Sequence, residues 1–289
     1  MKLANLELKN PLMNASGVCS FPPLLKRWEE AGVGAVVTKS IGIEPSPGNR
    51  GPVLIEPYPG AVLNSMGFPN PGYEYFLEEM KEYSFDVPVI TSIYGRDEYE
   101  FGFLVKKLEP VSDAFELNVS CPHAKKGGYQ IGFEPKILRK SLKNARESTE
   151  NPVSVKLPYY SADERKLKEV IEIVEETEMD WITEINTLRA MDYSVEIERP
   201  IFSNKFGGQS GPTIHFCALA QVYKTRELTD LPIVASGGIV SAYNVKRFFG
   251  VGANVAQLGS GLLYYGEYRD NKHTGIEDFV KAILEGLKC

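Results

Sequence analysis

The chain has 289 residues, 43% hydrophobic and 24% charged, enough apolar material for one large α/β barrel or two smaller domains. Its formal charge of −6 comes from 38 acidic against 32 basic residues with neither sign in long blocks, which argues against a nucleic-acid-binding protein. No apolar run approaches the roughly 20 residues of a membrane span, and the amino terminus lacks the pattern of a secretory leader. The four cysteines, Cys19, Cys121, Cys217 and Cys289, are too scattered for a zinc site or a cluster. A cytoplasmic protein with single reduced thiols, no metal and no membrane or nucleic-acid partner is therefore expected.

Apolar runs that stop at polar or glycine residues predict strands over 11–17, 33–40, 87–94, 114–120, 152–157, 180–187, 231–238 and 253–260. Between and after them, helices are predicted over 22–31, 72–83, 98–108, 135–147, 162–178, 214–228, 242–250 and 275–287. The clearest period lies in the fifth helix, where Leu167, Val170, Ile171 and Val174 form one stripe with charge opposite. Strict alternation of strand and helix implies a parallel sheet, and eight units imply a (β/α)8 TIM barrel that takes up residues 1–289 as one domain; a doubly wound open sheet is the alternative. Long connections are expected after strands two, four and six, at 41–71, from 121 onward, and at 188–213.

The barrel makes a statement about chemistry, because its active sites lie where the carboxyl ends of the strands meet the following loops. Polar residues fall at those ends: Asn14 and Ser16, Lys39 and Ser40, Thr91 and Ser92, Asn118 and Cys121, Lys156, Asn186 and Thr187, Gly237 and Gly238, Gly259 and Ser260. Buried lysines and asparagines are costly without partners, so such a ring argues for a polar ligand. Glycines at the last two strand ends, with Gly211 ahead of the seventh, suit a phosphate. Lys39 and Lys156 would converge on an anion, which fits a flavin stabilised on reduction or a Schiff-base aldolase with a lysine nucleophile. Asn64, Asn118 and Asn186 offer donors and acceptors to a planar ring with carbonyl and N–H groups. A non-catalytic binding barrel is a third reading.

The central stretch is Phe115-Glu116-Leu117-Asn118-Val119-Ser120-Cys121-Pro122-His123, a strand that ends in an amide, a thiol and an imidazole and opens into the basic, glycine-rich Lys125-Lys126-Gly127-Gly128. Together with Asn14-Ala15-Ser16-Gly17, Thr38-Lys39-Ser40, Asn64 to Asn70, Val155-Lys156-Leu157, Asn186-Thr187, Gly207 to Pro212, Ser236-Gly237-Gly238-Ile239 and Gln257 to Ser260, it resembles the dihydroorotate dehydrogenases over essentially the whole chain. The resemblance implies an FMN enzyme that oxidises dihydroorotate to orotate in pyrimidine synthesis. A flavin dehydrogenase for a related dihydropyrimidine shares these motifs.

Carried over position by position, the resemblance implies Cys121 as the base at C5 of dihydroorotate, while a hydride leaves C6, with Lys39 beside flavin and substrate. Asn64, Met66, Gly67, Phe68, Asn118, Asn186 and Thr187 would hold the substrate. Ala15, Ser16, Gly17, Ser40, Ser92, Asn118 and Lys156 would line the flavin, with Gly211, Gly237, Gly238, Gly259 and Ser260 at its phosphate. Three positions depart from the family pattern: His123 where asparagine is usual, which would meet substrate with an imidazole, Phe68 for leucine, and Ser260 for threonine. A cysteine base marks the class 1 enzymes. The segments around 8–11, 125–129 and 185–189 look closer to class 1B, whose catalytic subunit passes electrons to a separate flavin and iron–sulfur subunit that reduces NAD, than to the fumarate-using homodimers of class 1A. A homodimeric core is expected, and any cluster would come from the partner chain.

Overall fold

A computed structural model describes residues 1–119, 128–160, 163–265 and 275–288. Eight parallel strands form its centre: β1 Leu12–Asn14, β2 Val36–Val37, β3 Val89–Ile93, β4 Ala114–Asn118, β5 Val153–Lys156, β6 Trp181–Glu184, β7 Ile233–Ser236 and β8 Val255–Leu258. They pair in the order β1-β8-β7-β6-β5-β4-β3-β2. The ring closes between β1 and β2 through a parallel bridge from Met13 to Ala35. At this narrow seam the Asn14 carboxamide stands in for a peptide group, donating to the Val37 carbonyl (2.7 Å) and accepting from the Val37 N–H (2.8 Å). The alternative open sheet is thereby replaced by a barrel.

Among the described residues, eight helices of nine or more residues surround it: α1 Pro22–Glu30, α2 Tyr73–Lys81, α3 Glu100–Leu108, α4 Pro135–Arg146, α5 Glu164–Glu176, α6 His215–Leu228, α7 Ala242–Gly250 and α8 Ile276–Lys288. Each falls within two residues of its sequence expectation at either end. In α5 the Asp163 carboxylate caps the Lys166 N–H, a contact worth about 1 kcal/mol, and the predicted stripe Leu167, Val170, Ile171 and Val174 is buried. Helix α6 lacks such a stripe because its inner face is polar, with His215, Gln221 and Thr225 buried beside Ala218 and Val222.

Side chains alternate along each strand, so residues two apart share a face. Ile90, Ala114, Trp181, Val234 and Val255 form the lower interior of the barrel, where Leu3, Leu6 and Leu8 pack against them. Those leucines belong to an amino-terminal hairpin, Lys2–Leu3 with Leu6–Glu7, that plugs the end opposite the site. Its two-residue strands left no readable period in the sequence.

The long connections after β2 and β6 were expected as loops, and they instead build a second sheet. Leu188–Ala190, Gly207–Ser210, Ala61–Asn64 and Leu54–Tyr58 pair antiparallel in that order, over a small core of Ala61, Leu63 and Phe202. The pairing joins segments about 140 residues apart in short, glycine- and proline-broken runs, so no local signal announces it. Of the connection expected after β4, residues 120–127 lie outside the described residues, and Gly128–Phe133 forms a short helix. Among the described residues no helix is long and apolar enough to cross a membrane, and no group of His, Cys, Asp or Glu is placed to hold a metal.

One buried carboxylate sits on the outer face of the barrel. Glu184, fully buried at the end of β6, accepts from the Gln221 side chain at 2.9 Å, and burial lifts its carboxyl from an ordinary 4.5 to about 7 against the opposing pull of Gln221, Thr225 and Arg226. The folded protein binds this proton more tightly than the unfolded chain, so the contribution of Glu184 to stability is full below about pH 4.5 and declines as pH rises to about 7. Glu184→Gln is expected to remove that decline, about 3 kcal/mol by linkage. Urea unfolding of both proteins between about pH 5 and pH 8 reads the difference; parallel stability–pH curves would contradict it.

Candidate active site

The carboxyl ends of the strands and the second sheet enclose a cavity of about 370 Å³, within the range of roughly 300–1,000 Å³ typical of ligand pockets. Its wall holds most of the residues singled out in the sequence: Ala15, Ser16 and Gly17 after β1, Lys39 and Ser40 after β2, Asn64, Met66, Gly67 and Phe68 from the connection that follows, and Asn118 at the end of β4. Lys156, Asn186, Thr187, Gly237, Gly238, Gly259 and Ser260 complete it. Ser92 stands one layer back, fully buried and within 2.9 Å of the Ser40 hydroxyl. Gly211, also off the wall, shapes the turn before α6. Cys121 and His123, with Ser120, lie outside the described residues.

Two polar strand-end residues serve the scaffold. Asn14 closes the barrel seam, and Thr91 points outward to the Ser112 hydroxyl at 2.6 Å. Others line the cavity without a role assigned from the sequence, including Cys19, Ile185, Ser210 and Ser236. Burial raises the Cys19 thiol above its usual range, with Arg27 opposing the shift. Two further residues lie beneath the wall. Glu116 and Gln257 are fully buried inside the barrel, where Gln257 accepts from the Lys156 ammonium (2.9 Å) and donates to the Glu116 carboxylate (2.6 Å). A glutamate in the middle of the apolar run 114–119 was the sequence signal for this pair.

The asparagines form a chain. Asn186 Nδ2 donates to Asn118 Oδ1 (3.2 Å), Asn118 Nδ2 donates to Ser40 Oγ (3.1 Å), and Ser40 Oγ lies 3.1 Å from Ser16 Oγ. Each side chain thus has a set orientation before any ligand arrives, which lowers the entropic cost of binding a planar polar ring. Asn64 belongs to the second sheet and donates to the Gly208 carbonyl at 3.2 Å. Gly208 must lack a side chain, because a Cβ there would fall 2.0 Å from the Thr187 hydroxyl.

Phe68 shapes the wall on the Lys39 side. Its ring stacks on Tyr94 at 4.1 Å and 9°, and the Lys39 ammonium lies 5.7 Å from its centroid. Asn70 ties this corner together by donating to the Phe68 carbonyl (2.8 Å) and the Tyr94 hydroxyl (3.0 Å) and accepting from the N–H groups of Gly42 (3.2 Å) and Gly72 (3.0 Å).

The residues fit a flavin mononucleotide. The phosphate end requires close approach of backbone to ligand, which the loops after β7 and β8 supply. Gly238 has φ +66°, and a Cβ there would meet the His215 backbone nitrogen at 2.9 Å, so only glycine keeps this turn against the start of α6. Ser260 donates to Ser210 at 2.9 Å and closes the same end. At the other end Lys156 presents a buried cation beside neutral amides, a donor set suited to a ring that gains negative charge on reduction.

A family model described as dihydroorotate dehydrogenase matches residues 1–279. A protein of Pyrococcus furiosus named dihydroorotate dehydrogenase B (NAD(+)), catalytic subunit, is 44% identical over 267 residues, 92% of this chain and 88% of the relative. A protein of the same name from Methanocaldococcus jannaschii is 39% identical over 270 residues, 91% and 87% of the two chains. The crystal structure of the Eimeria tenella enzyme DHODH in complex with ferulenol superposes with a TM-score of 0.84, covering 99% of this chain and 82% of the other at 17% identity, a likeness of fold.

Removing Asn70 tests how far the wall depends on it. Asn70→Ala deletes four hydrogen bonds and leaves buried backbone groups without partners, an expected loss of about 3 kcal/mol in unfolding free energy by urea denaturation. A loss below about 1 kcal/mol would show that the loop is held by packing alone.

Proposed function

The chain belongs to the dihydroorotate dehydrogenase family, and from that premise we propose that it is the catalytic subunit of an NAD-linked enzyme that oxidises dihydroorotate to orotate in the cytoplasm, with residues 1–289 acting as one FMN-binding barrel domain. The observation that carries the proposal is the cavity itself, which gathers a buried cation, an oriented chain of asparagines and glycine turns from seven strand ends and the second sheet. When bound, FMN supplies the hydride acceptor. Two hydrogens leave the substrate, one as a hydride from C6 and one as a proton from C5, and the C5–C6 bond becomes double.

The protein has three tasks in this step. Asn64, Asn118, Asn186 and Thr187 bind the amide-bearing ring by matching its carbonyl and N–H groups, with Met66, Gly67 and Phe68 closing over it. Lys39 and Lys156 supply positive charge, Lys39 on the substrate side and Lys156 on the flavin side, where Ala15, Ser16, Gly17, Ser40 and, behind it, Ser92 complete the pocket. Gly211, Gly237, Gly238, Gly259 and Ser260 serve the phosphate end. Cys121, three residues beyond Asn118, takes the C5 proton, and His123 contacts substrate from the same segment.

Electrons leave through a partner. The relatives are named as catalytic subunits of an NAD(+) enzyme, and the described residues contain no group for a metal or cluster. The assembly proposed is a homodimeric core with a separate flavin and iron–sulfur subunit. The aldolase reading is weaker, because Lys156 is engaged by Gln257 at 2.9 Å and faces Glu116 at 3.7 Å, an arrangement that holds a cation in place.

Anaerobic single-turnover reduction tests the base. Cys121→Ala is expected to keep FMN bound and to slow flavin reduction by dihydroorotate roughly 10²–10⁴-fold. Reduction at the unaltered rate would move the role to another group. Purification with a second, iron-containing polypeptide is expected; isolation alone with fumarate-dependent turnover would contradict the proposed acceptor.

A further inference from the structure

Lys156 does not stand alone in the barrel. Lys156, Gln257 and Glu116 are respectively 5%, 1% and 0% exposed, so both charges are removed from water and must be compensated by each other and by hydrogen bonds. Gln257 can satisfy both only in one orientation, with its carbonyl oxygen toward the ammonium (2.9 Å) and its amide toward the carboxylate (2.6 Å). The short second contact is that of a charge-assisted bond. The other carboxylate oxygen of Glu116 lies 3.7 Å from the ammonium and receives no hydrogen bond, so its negative charge is directed at Lys156.

We propose that Glu116 is a positioning residue which, through Gln257, fixes the ammonium of Lys156 at the cavity floor and offsets its charge, thereby setting the electron affinity of the bound flavin. The inference rests on the FMN reading above. Lys156 lines the cavity, while Glu116 and Gln257 do not, so the two inner residues act on the ligand only through the lysine and the field of the pair. With both charges present the pair is nearly neutral at a distance. Without the carboxylate, a full positive charge in a weakly screened interior would face any ring that accumulates electrons.

The test uses the FMN-loaded full chain and sulfite, whose lone pair bonds to the flavin ring and leaves a negative charge on it. In Glu116→Gln, sulfite is expected to bind roughly ten-fold more tightly than in the wild type, with the midpoint potential raised. Glu116→Asp restores the charge and is expected to return the affinity to within about two-fold of wild type. A loaded Glu116→Gln protein with sulfite affinity inside that two-fold band overturns the inference. Should Glu116→Gln not fold, Gln257→Leu decides the matter: loss of the bridge lets the ammonium retreat to the carboxylate, so sulfite binding weakens several-fold, and an unchanged affinity overturns the inference equally. Wild-type protein that takes up no flavin would instead strike the functional reading on which this rests.

Discussion

The carboxamide of Asn14, exchanging two hydrogen bonds with the backbone of Val37, closes a ring that backbone pairing leaves narrow at one seam. Closure is the constraint on which the site depends. Eight parallel strands in a ring all deliver their carboxyl ends to one mouth, so residues as distant in sequence as Ala15 and Ser260 share a cavity wall. The hairpin leucines seal the opposite end, which leaves the mouth as the end where polar groups meet a ligand. The pattern along each strand then sorts the interior into an apolar lower layer around Ala114 and Val255 and a polar layer two residues further on, where Glu116 and Gln257 lie.

Above this frame, the second sheet pairs two long connections into a four-stranded roof. It brings Asn64 to Gly208 and Thr187, and therefore to Asn186 and Asn118, which the barrel alone positions. Phe68 takes a left-handed backbone conformation (φ +56°) that carries its ring onto Tyr94, and Asn70 holds both. This chain thus presents an aromatic face to Lys39. The site combines oriented amides, whose bonds are already made, with two lysines in one cavity wall. Preorganisation of this kind places most of the reorganisation cost in folding and little in binding.

Most of the barrel was legible because its strands are fully buried and read as largely apolar runs, while α5 carries a clear helical period. The site residues at the strand ends were legible for a different reason: a lysine or asparagine closing an apolar run is improbable without a partner. Three things escaped. Glu116 and Gln257 lie inside strands, and nothing in a linear sequence says that strands four, five and eight place them together. The second sheet depends on pairing between distant, irregular segments. The role of Asn14 follows from the seam, and its chemistry resembles that of the ligand-binding asparagines until the partner, Val37, is known.

These parts serve one claim, that the mouth of the barrel holds FMN beside an amide-bearing ring and removes two hydrogens from it. The most direct measurement is anaerobic mixing of the FMN-loaded protein with dihydroorotate while following flavin absorbance and orotate formation. The account predicts complete bleaching with one orotate formed per flavin. A fully flavinated protein whose absorbance stays unchanged, with no orotate formed, would contradict it.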